Sequence, residues 1–115
     1  MTATHESQLE TCIQACLDCL RDCENCATVC LDSEMVQMMA ECIKLCRDCA
    51  DTCTLCARFM SRKSALHALM CGVCAEACDR CAAECKKHDH EPCKRCAASC
   101  RRCAESCRQM AMAMR

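Results

Sequence analysis

Residues 12–30 read CIQACLDCLRDCENCATVC, with cysteine at 12, 16, 19, 23, 26 and 30, so the spacing alternates four, three, four, three, four. Alternation between three and four averages about 3.5 residues, which keeps one side of an α-helix facing one partner along its whole length. The rhythm returns three times: Cys42, Cys46, Cys49, Cys53 and Cys56; then Cys71, Cys74, Cys78, Cys81 and Cys85; then Cys93, Cys96, Cys100, Cys103 and Cys107. These are the a and d positions of a heptad, where an ordinary bundle carries Leu, Ile or Val. Here the seam is written in thiols, 21 of them in 115 residues.

The breaks between runs set the topology. Leu31-Asp32-Ser33-Glu34 and Ser61-Arg62-Lys63-Ser64 supply helix-capping residues, and Lys87-His88-Asp89-His90-Glu91-Pro92 ends in a proline suited to a first helical turn. The spacing predicts helices over about 7–31, 34–61, 64–87 and 91–112 in one domain spanning 1–115. Connections this short force neighbours antiparallel, which gives an all-α, up-down-up-down four-helix bundle with a cysteine-lined core. The faces away from the seam carry Asp18, Arg21 and Asp22 on the first helix and Arg101, Arg102 and Glu105 on the fourth, and read as solvated. Ile13, Leu17, Leu20, Leu31, Ile43 and Leu45 lie beside the cysteines and either flank the core or form an oligomer surface. Gly72, inside the third helix, permits a close backbone approach.

Composition narrows the function. There is no Trp, no Tyr and one Phe, Phe59, so aliphatic and aromatic burial alone would leave the chain marginal. Either the cysteines serve as small buried hydrophobes or a bound metal staples the helices. A formal net charge of −1 gives no reason to expect a nucleic acid or a membrane surface as partner. No window approaches the ~18 apolar residues of a membrane span. The first seven residues show no basic stretch leading into an apolar one, so a cytoplasmic location is expected. In a reducing compartment dense cysteine points to metal or redox work instead of a disulfide framework.

Residues four apart on a helix have Cβ atoms about 5–6 Å apart. Two thiolates holding one ion linearly span about 4.6 Å, twice a metal–sulfur bond of ~2.3 Å. A Cys-x-x-x-Cys pair therefore suits a single ion, and nine pairs can be drawn without sharing: 12/16, 19/23, 26/30, 42/46, 49/53, 74/78, 81/85, 96/100 and 103/107. Cys56, Cys71 and Cys93 are left to bridge helices. Thiolates favour Cu(I), Zn(II) and iron–sulfur clusters. Zinc prefers four tetrahedral ligands from turns, and iron–sulfur cages are fed by loop cysteines. Some twenty thiolates in a low-dielectric core also need nearly equal positive charge, which about one monovalent ion per sulfur supplies. The expectation is a store of many Cu(I) ions, about one per thiol, and not an enzyme, since no cysteine is singled out by a base. The alternative is a zinc- or cadmium-binding detoxification protein of metallothionein type, and a third class is a redox or sensory thiol protein.

The two ends differ in composition. At the end holding the 1–2 and 3–4 connections, Met35 and Met38 or Met39 extend the seam above Cys42, while His88 and His90 flank Cys85 and Cys93. Thioether and imidazole are neutral ligands for Cu(I) that hold it less firmly than thiolate, so this end is expected to be the entrance, with Met35, Met38, His88 and His90 as ligands beside the 21 cysteines. At the other end Leu9, Phe59, Met60, Leu66, Leu69, Met110 and Met114 read as an apolar plug. His67, four residues before Cys71, is either a ligand or a helix-end residue, and with His5 and Met60 it leaves a rear entrance open.

With CLDCLRDC at 16–23, CRDCADTC at 46–53, CAEACDRCAAEC at 74–85, HDHEPC at 88–93 and CRRCAESC at 100–107, the chain resembles the bacterial copper storage proteins along essentially its whole length. The resemblance implies a cysteine-lined four-helix bundle of the cytosolic branch that stores copper as a homotetramer. It places the histidine-bearing 3–4 connection at the open end and suggests a copper chaperone as a delivering partner. The methionines at 35, 38 and 39 look more like the exported branch.

Overall fold

The structure, a computed structural model, describes residues 5–113, with side chains through 112. Four helices follow in order: α1 (His5–Leu31), α2 (Ala40–Ser61), α3 (His67–Cys85) and α4 (Glu91–Ala113). Among the described residues α1 packs on α2 and α4, and α3 packs on α2 and α4, while across either diagonal no Cα atoms come within 8 Å and only side chains meet. This is the four-cornered arrangement that short connections impose on an up-down-up-down chain. The molecule measures 47 × 26 × 18 Å, its long axis along the helices.

Every cysteine is buried and every one is a free thiol. Alanines beside the seam, Ala27, Ala50, Ala57, Ala75, Ala82, Ala97 and Ala104, are buried as well. Each follows a seam cysteine by one residue, so the walls between helices are as thin as the side chains allow. Ala also favours helix more than any other residue, which offsets the weak packing of so small a core.

Two helices start later than the spacing alone suggests. Residues 34–39 form turns closed by i→i+3 bonds, Met38 N to Met35 O at 2.9 Å and Met39 N to Val36 O at 3.1 Å, and α2 begins at Ala40. The Ser33 hydroxyl accepts from Met35 N at 3.0 Å and fixes the first of these turns, a local bond that competes with helix. At the opposite end α2 closes with Lys63 N donating to Met60 O and Ser64 N to Phe59 O, while Lys63 takes a left-handed φ of 54°. That is a Schellman stop. Ser64 Oγ then accepts from Leu66 N, and α3 begins at His67.

The solvated-face reading fails at one residue. Asp22 is only 4% exposed and accepts from the buried Ser99 hydroxyl on α4, with Arg21 Nε 3.3 Å away. Arg102 in turn donates to Ser99 Oγ at 3.0 Å. A carboxylate can sit in a thin-walled bundle when donors from the neighbouring helix reach it. The plug is narrower than expected: Leu9, Met60 and Met110 are buried, Phe59 is half-buried under Arg62, Leu66 and Leu69 face outward, and Met114 lies outside the described residues. Gly72 shows no close approach, since a Cβ there would meet nothing within 4 Å.

Candidate metal centre

Antiparallel helices with matched 3-4 spacing bring their thiols into register. Between α1 and α4 the sulfurs meet in five rungs: Cys12–Cys107 at 3.7 Å, Cys16–Cys103 at 3.7 Å, Cys19–Cys100 at 3.6 Å, Cys23–Cys96 at 3.6 Å and Cys26–Cys93 at 3.6 Å. Between α2 and α3 five more follow: Cys42–Cys85 at 3.6 Å, Cys46–Cys81 at 3.7 Å, Cys49–Cys78 at 3.5 Å, Cys53–Cys74 at 3.7 Å and Cys56–Cys71 at 3.4 Å. Each step of three or four up one helix is answered by the same step down its partner.

The rungs stack in pairs. Cys49 reaches Cys19 at 3.6 Å and Cys100 at 3.8 Å, Cys46 reaches Cys96 at 3.8 Å, and Cys53 reaches Cys103 at 3.8 Å. The result is a column of five four-sulfur layers, running from Cys12, Cys56, Cys71 and Cys107 to Cys26, Cys42, Cys85 and Cys93. Cys30 stands above the last layer, 3.9 Å from Cys93. Neighbours four apart on one helix are the longer contacts, 3.8–4.0 Å for 19/23, 74/78, 81/85, 96/100 and 103/107. The closest sulfur pairs are therefore between helices and not within them. Sequence spacing shows only the second kind.

Four-thiol groups with all sulfurs within 4.8 Å of one another overlap. Cys16 belongs with Cys53, Cys74 and Cys103 and again with Cys56, Cys74 and Cys107; Cys100 joins both Cys19, Cys23, Cys49 and Cys23, Cys81, Cys96. Sites that share sulfurs cannot all be filled by separate four-coordinate ions. They can be filled when each thiolate bridges two ions. A trigonal ion with a ~2.3 Å bond to sulfur wants its sulfurs about 4.0 Å apart, close to the longer contacts found here.

Burial and hydrogen bonding between sulfurs push some thiols of the column up and others down. Burial pushes the Cys30 thiol above its ordinary value, with charge on Cys42 adding to the effect, and burial raises Cys93 to about 12. Deeper in, Cys23 and Cys53 are raised chiefly by hydrogen bonds with Cys100 and Cys103. Cys56 falls to about 6 because Cys107, Cys16 and Cys71 donate to it. A sulfur in this net loses its proton easily only where its neighbours keep theirs.

At the end with the 1–2 and 3–4 connections, a cavity of about 350 Å³ opens above Cys30, lined among others by Met35, Met38, Met39, His88 and His90. Only Met39 is buried, at 7% exposure; Met35 and Met38 stand at the rim, 53% and 69% exposed, and His90 is exposed too. Met35 would lie on the seam if α2 reached back to 34, and the turns over 34–39 remove it. Met39, three residues before Cys42, keeps the heptad step, so the signal that finds it is the spacing itself. His88 is half-buried and donates Nε2–H to Glu84 Oε2 at 2.9 Å, which leaves Nδ1 as the ring atom with a free lone pair.

A family model described as copper storage protein matches residues 5–112. Copper storage protein 3 of Bacillus subtilis in its apo form shares 44% identity over 89% of this chain and 97% of its own, with a TM-score of 0.82. A cytosolic copper storage protein of Streptomyces lividans with five coppers shares 34% identity over 91% and 92%, with a TM-score of 0.88. The Streptomyces lividans protein loaded with 10 copper equivalents shares 33% over 94% and 86%, at 0.91. No curated protein matches the chain.

Proposed function

The chain belongs to the copper storage protein family, and from that premise we propose that its 21 thiols hold Cu(I) as a continuous column of thiolate-bridged ions, about one per sulfur. The observation that carries this reading is the overlap of the four-thiol groups, which forces sulfurs to bridge. Bridging thiolate with a monovalent ion keeps the low-dielectric core near neutral, whereas divalent ions at the same density would leave it strongly positive.

Loading begins at the open end. Met39, the free Nδ1 of His88 and Cys30 offer soft ligands in the 350 Å³ cavity, with Met35, Met38 and His90 at its rim. Neutral thioether and imidazole take the ion without releasing a proton and pass it on to Cys30 and Cys93. There the stronger thiolate bond displaces the proton, which leaves through the same water-filled mouth. Each further ion opens a rung from about 3.6 Å toward 4.0 Å and bridges it to the next layer. The role is storage and not catalysis.

Among the described residues no helix is long and apolar enough to cross a membrane. We assign the protein to the cytosol, in line with the Streptomyces relative described as cytosolic. A homotetramer and delivery by a copper chaperone at the mouth complete the reading. The outward Leu69 and Val73 of α3, around a groove with Leu45 and Gly72, support an assembly surface there.

Anaerobic titration of the reduced protein with Cu(I), against a strong competing chelator, tests the central claim. Saturation near one ion per thiol is expected. Saturation at about five ions, with zinc or cadmium competing successfully, would instead favour the detoxification role.

A further inference from the structure

We propose that the closed end of the bundle is a sixth ligand layer, in which Met60, His67 and Met110 bind one further Cu(I) through two thioethers and an imidazole. The proposal rests on the copper-storage reading above and adds a site to it.

The lattice itself points there. Below the layer of Cys12, Cys56, Cys71 and Cys107, one more heptad step leads to Leu9 on α1, Met60 on α2, His67 on α3 and Met110 on α4. Leu9 precedes Cys12 by three as Met110 follows Cys107 by three, and Met60 follows Cys56 by four as His67 precedes Cys71 by four. The antiparallel register that builds every sulfur rung therefore sets Met60 against His67 and Leu9 against Met110. All four are buried, and Leu9, Met60 and Met110 belong to the same core as the cysteines.

His67 carries the argument. It is 5% exposed, and its Nε2 is the one buried side-chain nitrogen or oxygen among the described residues without a hydrogen-bond partner. Its Nδ1 lies 2.8 Å from the Ser64 carbonyl oxygen, which can only accept, so the ring proton sits on Nδ1 and the Nε2 lone pair is free in the neutral ring. A backbone carbonyl holding the far nitrogen is how proteins orient a metal-binding imidazole. A buried orphan polar atom costs stability unless something satisfies it. Phe or Leu at 67 would seal the bundle without that cost. Thioethers and imidazole are soft, neutral ligands, and no charged side chain belongs to this layer, so it suits a monovalent ion and binds it without releasing protons.

The test is a Cu(I) titration followed by nuclear magnetic resonance on protein labelled with ¹⁵N at histidine and ¹³C at methionine methyls. As thiolate-to-copper absorption reaches its plateau, the His67 Nε2 and the Met60 and Met110 methyl signals should shift together, while exposed Met112 stays in place. The volume-conserving double variant Met60→Leu/Met110→Leu should keep the thiolate absorption, lose the late shift at His67 and bind one ion fewer per chain. A full thiolate load with His67 and both methyls unmoved would make this end a plug and overturn the proposal, leaving the storage function intact. Absence of a high-capacity thiolate load would overturn both.

Discussion

The two ends of the column are the same lattice carried one step further, and they come out differently. At the mouth the next step holds Cys30, Met39 and His88 below a water-accessible cavity, with Lys87 and Asp89 beside it. At the closed end it holds Leu9, Met60, His67 and Met110, all buried. Both ends carry a methionine and a histidine, and both histidines have one ring nitrogen tied, His88 by a carboxylate and His67 by a backbone carbonyl. The connections decide the difference. Turns over 34–39 and the five residues from Lys86 to His90 spread the mouth, whereas the Schellman stop at Lys63 draws α2 and α3 together. In the loading scheme proposed above, accessibility, more than ligand type, separates the loading site from the terminal one.

The largest effect is expected from removing what lies between the ends. Replacing Cys16, Cys53, Cys74 and Cys103 by Ala deletes one whole layer, and the Cu(I) count should fall by roughly four ions per chain. If the column loads from the mouth alone, the layer of Cys12, Cys56, Cys71 and Cys107 should also fill much more slowly, which time-resolved absorption would show. Unchanged filling would mean that the closed end admits copper too.

The next contrast is between rate and capacity. Met39→Leu with His88→Ala should slow loading on the order of tenfold and leave the final count unchanged, since thiolates hold the stored ions. Stopped-flow absorption against a Cu(I) donor measures the first and chelator competition the second. A drop in capacity of several ions would mean that the mouth residues hold stored metal.

Acidity gives a third handle. Burial raises Cys93 to about 12 and raises Cys30, above the ~8.5 of an unfolded thiol. A raised folded-state pKa favours the protonated native form. Its contribution to stability is full below about pH 8.5 and is lost as pH climbs toward 12. The melting temperature of the metal-free protein should therefore fall over that window. Copper affinity should move the other way and weaken as pH drops, because each thiolate must shed a proton to bind. A pH-independent melting curve between 8 and 11 would contradict raised thiols at Cys30 and Cys93.

Away from both ends, Ser99→Ala should destabilise the bundle by about 1–2 kcal/mol in denaturant titration, since buried Asp22 loses its donor on α4. Copper capacity should stay the same, which separates the wall from the lumen. The smallest change is Gly72→Ala. With nothing near its Cβ, it should stabilise the isolated bundle by about 0.5–1 kcal/mol. A loss of stability that grows with protein concentration would place Gly72 in a subunit interface.

Much of this protein was determined by its sequence. Cysteines at strict 3-4 steps required helices with a single buried seam, and the three short breaks required neighbours to run antiparallel, because helical period and loop reach are local properties. The choice of soft, monovalent cargo followed from ligand chemistry and from the charge of so many thiolates. What the tertiary structure decided is which sulfurs touch. Spacing shows neighbours on one helix, yet the closest pairs lie between helices, because register across a bundle depends on how two chains of side chains slide to rest. The same holds for Met39 buried while Met35 and Met38 face water, and for Asp22 drawn into the wall by Ser99. Only packing could also strand the Nε2 of His67, since an unmet lone pair is defined by the groups that surround it and not by its place in the chain.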